Sequence, residues 1–194
     1  MGFNTFVDDQ KKVPGEATLS FYIFDTIVDK VHDFLPLKDV PVLTSEVFKP
    51  RGMTALFDAT GKAIIGEGER LAQMEEANRP EKVVCVIITD GAENSSVEIT
   101  LPKLKEMIEE QIHKYGWGFV FLGANINAEK YGEDMGIGAA NAMTHAPTGK
   151  GVADSYKAVS SNIRAMRCCA EPADANAALA FTKEQRQEQH SNGV

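Results

Sequence analysis

Apolar and polar positions follow two different periods along this chain. From Val83 to Thr89 the run Val-Val-Cys-Val-Ile-Ile-Thr is unbroken, and it stops at Asp90-Gly91. A continuous β-branched run of this length predicts a strand covered on both faces, as in parallel sheets flanked by helices. Trp117 to Leu122 has the same character and closes at Gly123-Ala124-Asn125. Thr18 to Phe24 predicts a strongly apolar, aromatic strand, and Ile27 to Leu35 one with alternating polar positions. The short connector between these two favours antiparallel pairing, and the polar positions favour an edge. Asn141 to Thr144 predicts a last short strand.

The helical period occupies the intervening stretches. Gly2 to about Lys12 places Phe3, Phe6 and Val7 inward, before a Pro14-Gly15 turn. Met53 to about Ala77 sets Leu56, Thr60, Ala63, Ile64, Leu71 and Met74 near one face, with Gly66 and Gly68 weakening its middle and Asn78-Arg79-Pro80 stopping it. Thr100 caps a helix with Pro102 in its first turn, the stripe Leu104, Ile108, Gln111, Ile112 and Tyr115, and Gly116 at its end. Ala128 to Met135 predicts a short helix, and Gly149 to Ala170 a longer one with Val152, Tyr156, Val159, Ile163 and Met166 aligned. From Glu171 the chain is Ala-rich and then very polar, which predicts disorder over Lys183–Val194. The alternation predicts a doubly wound α/β domain over residues 1–170 with a polar tail over 171–194. Its sheet is expected to be mostly parallel and Rossmann-like, with one antiparallel edge strand and helices on both faces.

Composition narrows the class. A chain of 194 residues with 43% hydrophobic and 25% charged residues suits one globular domain. The net charge of −8 argues against a general nucleic-acid or anionic-membrane binder. No apolar run approaches the roughly 20 residues of a membrane span, and the N-terminus lacks signal-peptide character. Cys85 lies in the apolar strand, Cys168 and Cys169 are adjacent, and no zinc spacing occurs, so a reduced cytoplasmic protein is expected. His32, His113, His145 and His190 are dispersed and read as surface or packing residues. Thr148-Gly149-Lys150-Gly151 lacks the Ser or Thr of a phosphate loop, and Gly136-Ile137-Gly138 lacks the third glycine of a dinucleotide fingerprint. No nucleophile–base pair is visible, which argues against an enzyme.

The candidate chemistry lies where Pro50-Arg51-Gly52-Met53-Thr54-Ala55-Leu56-Phe57-Asp58 would meet Thr89-Asp90-Gly91-Ala92-Glu93-Asn94. In open α/β sheets, ligands bind at the carboxyl ends of strands, where Asp90 falls. A Thr54 hydroxyl and an Asp90 carboxylate on separate loops are hard oxygen donors of the kind Mg²⁺ takes alongside water. The competing readings are a helix cap for Thr54 and turn residues for Asp90 and Asp25. Glu93 and Asn94 read as solvated loop residues. Asp58 reads as holding the loop or facing solvent.

In order along the chain, Gly-Phe-Asn-Thr-Phe, Phe24-Asp25, Thr54-Ala55-Leu56-Phe57-Asp58, Thr89-Asp90-Gly91-Ala92-Glu93-Asn94-Ser95 and Trp117-Gly118-Phe119-Val120-Phe121-Leu122-Gly123-Ala124-Asn125 resemble a von Willebrand factor type A domain. The likeness is to the small stand-alone bacterial and phage kind, and it covers roughly residues 2–145. It implies a protein-binding module whose Mg²⁺ or Mn²⁺ is held in part by Thr54 and Asp90. Asp25, Gly52, Met53, Gly91, Glu93, Asn94 and Asn125 would form the partner-binding rim. The sequence departs from the family in having no Asp-x-Ser-x-Ser loop and no first strand ahead of Gly2, so metal affinity should be weak or absent. Three resolutions stand: a fragment of a longer protein, direct pairing of the Thr18 and Val83 strands, or a strand supplied by a partner or oligomer. The alternative functions are a Mg²⁺-dependent phosphoryl-transfer or hydrolytic enzyme and a structural subunit completed by a partner strand.

Overall fold

A computed structural model describes residues 2–44, 46, 52–170 and 172–193. Ser45, Pro50, Arg51, Glu171 and Val194 lie outside the described residues. The chain runs α1 (Gly2–Lys11), β1 (Thr18–Phe24), β2 (Val28–Pro36), α2 (Leu56–Gln73), β3 (Val84–Thr89) and α3 (Leu101–Tyr115). It continues through β4 (Gly118–Gly123), α4 (Ala128–Asp134), β5 (Ala142–Thr144), α5 (Gly149–Cys168), α6 (Pro172–Ala177) and α7 (Lys183–Ser191).

The fold is mixed α/β in three layers. β3, β4 and β5 form a parallel sheet in that order, in register from Val84 opposite Gly118 to Thr89 opposite Gly123. All of β4 is buried, as expected for a strand with neighbours on both edges and helices on both faces. Alternate side chains divide the core. Cys85, Ile87, Phe119 and Phe121 pack with Leu56 and Ile64 of α2 and Leu104 and Ile108 of α3. Val84, Val86, Ile88, Val120 and Leu122 pack with Val159, Ile163 and Met166 of α5. α1 lies on that second side, where Phe3 and Val7 gather with Leu37, Val40, Leu19 and Phe21.

β1 and β2 pair antiparallel, from Thr18 opposite Pro36 to Phe24 opposite Val28. They form a separate two-stranded sheet, whereas the sequence predicts one continuous sheet. Neither does β1 pair directly with β3 among the described residues. Each of these strands has a ladder on one edge only, because no described strand lies between them.

Helix boundaries follow local chemistry. α3 starts after Thr100 with Pro102 in its first turn, and Gly116 ends it at φ 69°, where its N–H reaches the Ile112 carbonyl at 3.2 Å. α2 begins at Leu56, later than Met53, because the backbone of Thr54 is drawn away to the loop after β3. Among the described residues no helix is long and apolar enough to cross a membrane.

The predicted disordered tail is instead folded. Leu179 and Phe181 are buried at 0% and 7% exposure in the α5 cluster. α7 opens with a capping box in which Thr182 and Gln185 each accept from the other's backbone. Gln189, 1% exposed, accepts from the Ala146 N–H and donates to the Gly151 carbonyl. Arg186 reaches Glu129 at 2.6 Å and the carbonyls of Ala139 and Ala140. A polar composition conceals this segment because its anchors are few and its partners are distant in sequence. Leu179→Ala is expected to cost about 3 kcal/mol through the cavity it leaves, measured by urea denaturation. A tail that did not pack would show no change.

Candidate functional site at the carboxyl end of β3

The segment after β3 is tied to the start of α2 by two carboxylates acting in opposite directions. Glu93 comes from the loop and caps the helix. Its Oε2 accepts from the Phe57 N–H at 2.9 Å and from the Ser96 hydroxyl at 2.7 Å, and its Oε1 from the N–H groups of Ser95 and Ser96 at 2.7 and 2.6 Å. A carboxylate at a helix N-terminus meets both unsatisfied N–H groups and the positive end of the dipole. Asp58 comes from the helix and holds the loop. It accepts from the N–H groups of Val97, Glu98 and Ile99 at 2.9, 3.1 and 2.7 Å. The Ser96 hydroxyl also accepts from the Phe57 and Asp58 N–H groups at 3.1 Å each.

Burial pushes both carboxyls up, but the converging donors outweigh it. For Glu93 these are the Ser96 N–H and hydroxyl and the N–H groups of Phe57 and Ser95, and they hold it below the usual glutamate value. For Asp58 they are the Val97, Ile99 and Glu98 N–H groups, helped by the charge of Lys62. The loop is further fixed by the Tyr131 hydroxyl, which accepts from the Glu93 N–H at 3.0 Å.

This lock places the predicted rim. Asn94 bonds Thr54 twice, accepting at its side chain from the Thr54 N–H at 2.9 Å and donating its own N–H to the Thr54 carbonyl at 3.1 Å. The Ala55 N–H donates to the Asp25 carbonyl at 2.6 Å, so the ends of β1 and β3 converge on Thr54–Ala55. Thr54 is not the helix cap: the N-cap position is Ala55, which makes no side-chain cap bond. Asp25 is buried, and its carboxylate accepts from the Ile27 N–H at 2.6 Å, a turn role. Gly52 and Met53 are exposed and lead into Thr54. Gly91 is held against the Thr89 hydroxyl. Asn125 adopts φ 58° and donates its side-chain amide to the Asp90 carbonyl at 3.0 Å.

Asp90 is exposed, and neither its carboxylate nor the Thr54 hydroxyl has a hydrogen-bond or ion-pair partner among the described residues. The rim thus presents one carboxylate and one hydroxyl, both unengaged, while Glu93, Asp58 and Asp25 accept backbone N–H groups. Among the described residues no group of three or more His, Cys, Asp or Glu is arranged to hold a metal ion.

Asn125 also borders a cleft of about 690 Å³ along the ends of β4 and β5, which Thr144, His145, Arg186 and His190 help line. Its wall includes α7, so it forms only because the C-terminal segment folds back. Sequence reading missed this cleft, although Thr182-x-x-Gln185 is a readable capping signature. It also missed Ser96 and Tyr131 as loop anchors, for which the sequence carries no local signal. Neither a family model, nor a curated protein, nor a solved structure matches the chain.

Because both carboxyls are depressed in the folded state, they contribute stability above their unfolded values, near pH 4. They lose it as pH falls through their folded values. Unfolding free energy is expected to drop steeply below about pH 4. Glu93→Gln is expected to cost about 2 kcal/mol at neutral pH and to flatten that acid limb, as measured by urea denaturation across a pH series.

Proposed function

We propose that this chain is a protein-binding module of the von Willebrand factor type A kind, recognising a partner at the rim around Thr54 and Asp90. The observation that carries the reading is the contrast within one loop cluster: Glu93 and Asp58 are occupied in holding the loop, while the Asp90 carboxylate and the Thr54 hydroxyl have no partner among the described residues. A rigid support beneath two free oxygen donors suits recognition, which needs pre-organised groups but no nucleophile. Asp25, Gly52, Met53, Gly91, Glu93, Asn94 and Asn125 frame the contact area, and the cleft beyond Asn125 extends it. Mg²⁺ or Mn²⁺ would be held by the Thr54 hydroxyl and the Asp90 carboxylate, offering a positive centre to a partner's carboxylate. With two protein ligands the affinity is expected to be weak, on the order of 1 mM. A cytoplasmic setting accords with the free thiols of Cys85, Cys168 and Cys169.

Calorimetric titration of Mg²⁺ and Mn²⁺ into the wild-type chain and Asp90→Ala tests the reading. Wild type is expected to bind at millimolar concentration and Asp90→Ala not at all. Because Asp90 is exposed and its carboxylate has no hydrogen-bond or ion-pair partner among the described residues, Asp90→Ala should change stability by less than about 0.5 kcal/mol. Equal binding by both proteins would remove Asp90 from the site.

A further inference from the structure

The cleft at the ends of β4 and β5 takes no part in the metal chemistry proposed for the rim. Its walls come from the segment after β4, the segment after β5 and α7. This is the carboxyl edge of a parallel sheet, where open α/β folds hold ligands. At about 690 Å³ it falls in the size range of small-molecule pockets. Ile126, Met143 and Pro147 supply an apolar wall, and most of the remaining lining is polar.

The polar groups divide into committed and uncommitted ones. Arg186 is ion-paired with Glu129 at 2.6 Å and also donates to the Ala139 and Ala140 carbonyls. The second Glu129 oxygen accepts from the Thr144 hydroxyl at 2.8 Å, and that hydroxyl accepts from the Ala128 N–H at 3.0 Å. The two charged lining residues therefore answer each other, and the cleft favours a neutral ligand. The imidazoles are held differently. Nδ1 of His145 lies 3.1 Å from the Ala146 carbonyl, and Nδ1 of His190 lies 2.9 Å from the Arg186 carbonyl. A carbonyl only accepts, so each Nδ1 carries a proton and each neutral ring keeps an accepting lone pair at Nε2. His145 lines the cleft at 4% exposure, and its buried Nε2 has no hydrogen-bond partner among the described residues. Buried polar atoms are nearly always hydrogen-bonded, so this one calls for a donor. Asn125 donates its amide nitrogen to the Asp90 carbonyl, which leaves its Oδ1 to accept. Asn127 accepts from the Lys130 N–H at Oδ1, which leaves its amide nitrogen to donate.

We infer that this cleft binds a neutral, hydroxyl-rich ring of sugar size, either a free sugar or the ribose of a nucleoside. Hydroxyls suit the lining because each one both donates and accepts. They donate to Nε2 of His145 and His190 and to Oδ1 of Asn125, and they accept from the Asn127 amide. The apolar wall of Ile126, Met143 and Pro147 takes the C–H face of the ring. Metal ligation is the rival use for two basic imidazole nitrogens. Among the described residues, however, no third His, Cys, Asp or Glu joins them in an arrangement that could hold an ion. Neither Thr54 nor Asp90 takes part, so the inference does not rest on the rim reading.

The probes are D-glucose and adenosine, each set against an analogue stripped of ring hydroxyls, tetrahydropyran methanol and dideoxyadenosine. Nuclear magnetic resonance of backbone amides and imidazole nitrogens in the full chain reads both binding and location. The expected result is a saturable shift at Asn127, Thr144 and His145 with at least one hydroxylated probe. The His145 Nε2 resonance should move upfield as it accepts a hydrogen bond, while Nδ1 stays in place. The matched analogue should bind about fivefold more weakly or less, and so should the probe to His145→Ala and to His190→Ala. Binding of glucose assigns a free sugar, and binding of adenosine alone assigns the ribose of a nucleoside. The wild-type imidazole signal keeps the test decisive should His145→Ala fail to fold. The inference is overturned if neither probe shifts these resonances, or if binding leaves His145 Nε2 unmoved. It is also overturned if the stripped analogues bind as well as their parents, which would leave apolar contact as the whole of the interaction.

Discussion

The reciprocal capping of Glu93 and Asp58 is the interaction on which the arrangement at the top of the molecule depends. Among the described residues β1 and β3 share no hydrogen-bond ladder, so the sheets themselves do not set their relative position. The joint between the loop after β3 and the first turn of α2 does so instead. It fastens β3 to α2 through Phe57 and Val97–Ile99, while Ala55 fastens the same turn to the end of β1. Multidentate carboxylate bonds to backbone N–H groups suit this task. They are charge-assisted, directional and only partly exposed to screening by solvent.

That joint also divides labour among acidic residues that look alike in sequence. Asp58, Asp90 and Glu93 fall within two short motifs, yet of these three Asp90 alone has a carboxylate without a partner among the described residues. The structural cost of burying the other two is met by seven acceptor contacts from the donors quoted above, four at Glu93 and three at Asp58. The loop cluster is thus held from beneath by backbone hydrogen bonds, while the Asp90 carboxylate above it has no partner among the described residues. The C-terminal segment contributes to the same face from the other side, because α7 walls the cleft next to Asn125.

The layer structure is complete where helices are concerned and interrupted in the sheet. α2 and α3 on one side, and α1 and α5 on the other, bridge the interval between β1 and β3 with shared apolar packing. Helix packing tolerates such an interval because it is non-directional. A sheet does not, because each strand edge carries fixed donors and acceptors. The edge of β3 away from β4, unpaired among the described residues, is the place where these two requirements diverge.

What the sequence by itself determined is what a local period can encode. The buried β-branched runs of β3 and β4, the antiparallel β1–β2 pair, the stripes of α3 and α5 and the stops at Gly116 and Asp90-Gly91 were all readable, since each rests on neighbours within a few residues. The meeting of Thr54 with the Asp90 loop was readable as well, because strand ends in α/β sheets converge. Tertiary structure alone decided the rest. Glu93 became the link from loop to helix because its Phe57 donor lies 36 residues away in the chain, and which loop Asp58 holds was set by donors 39 to 41 residues away. α7 became ordered because Gln189 meets Gly151 and Arg186 meets Glu129 across separations of 38 and 57 residues. The division into two sheets likewise depends on which strand edges find partners in space. That is a property of hydrogen-bond pairing between distant segments, which no single segment's pattern specifies.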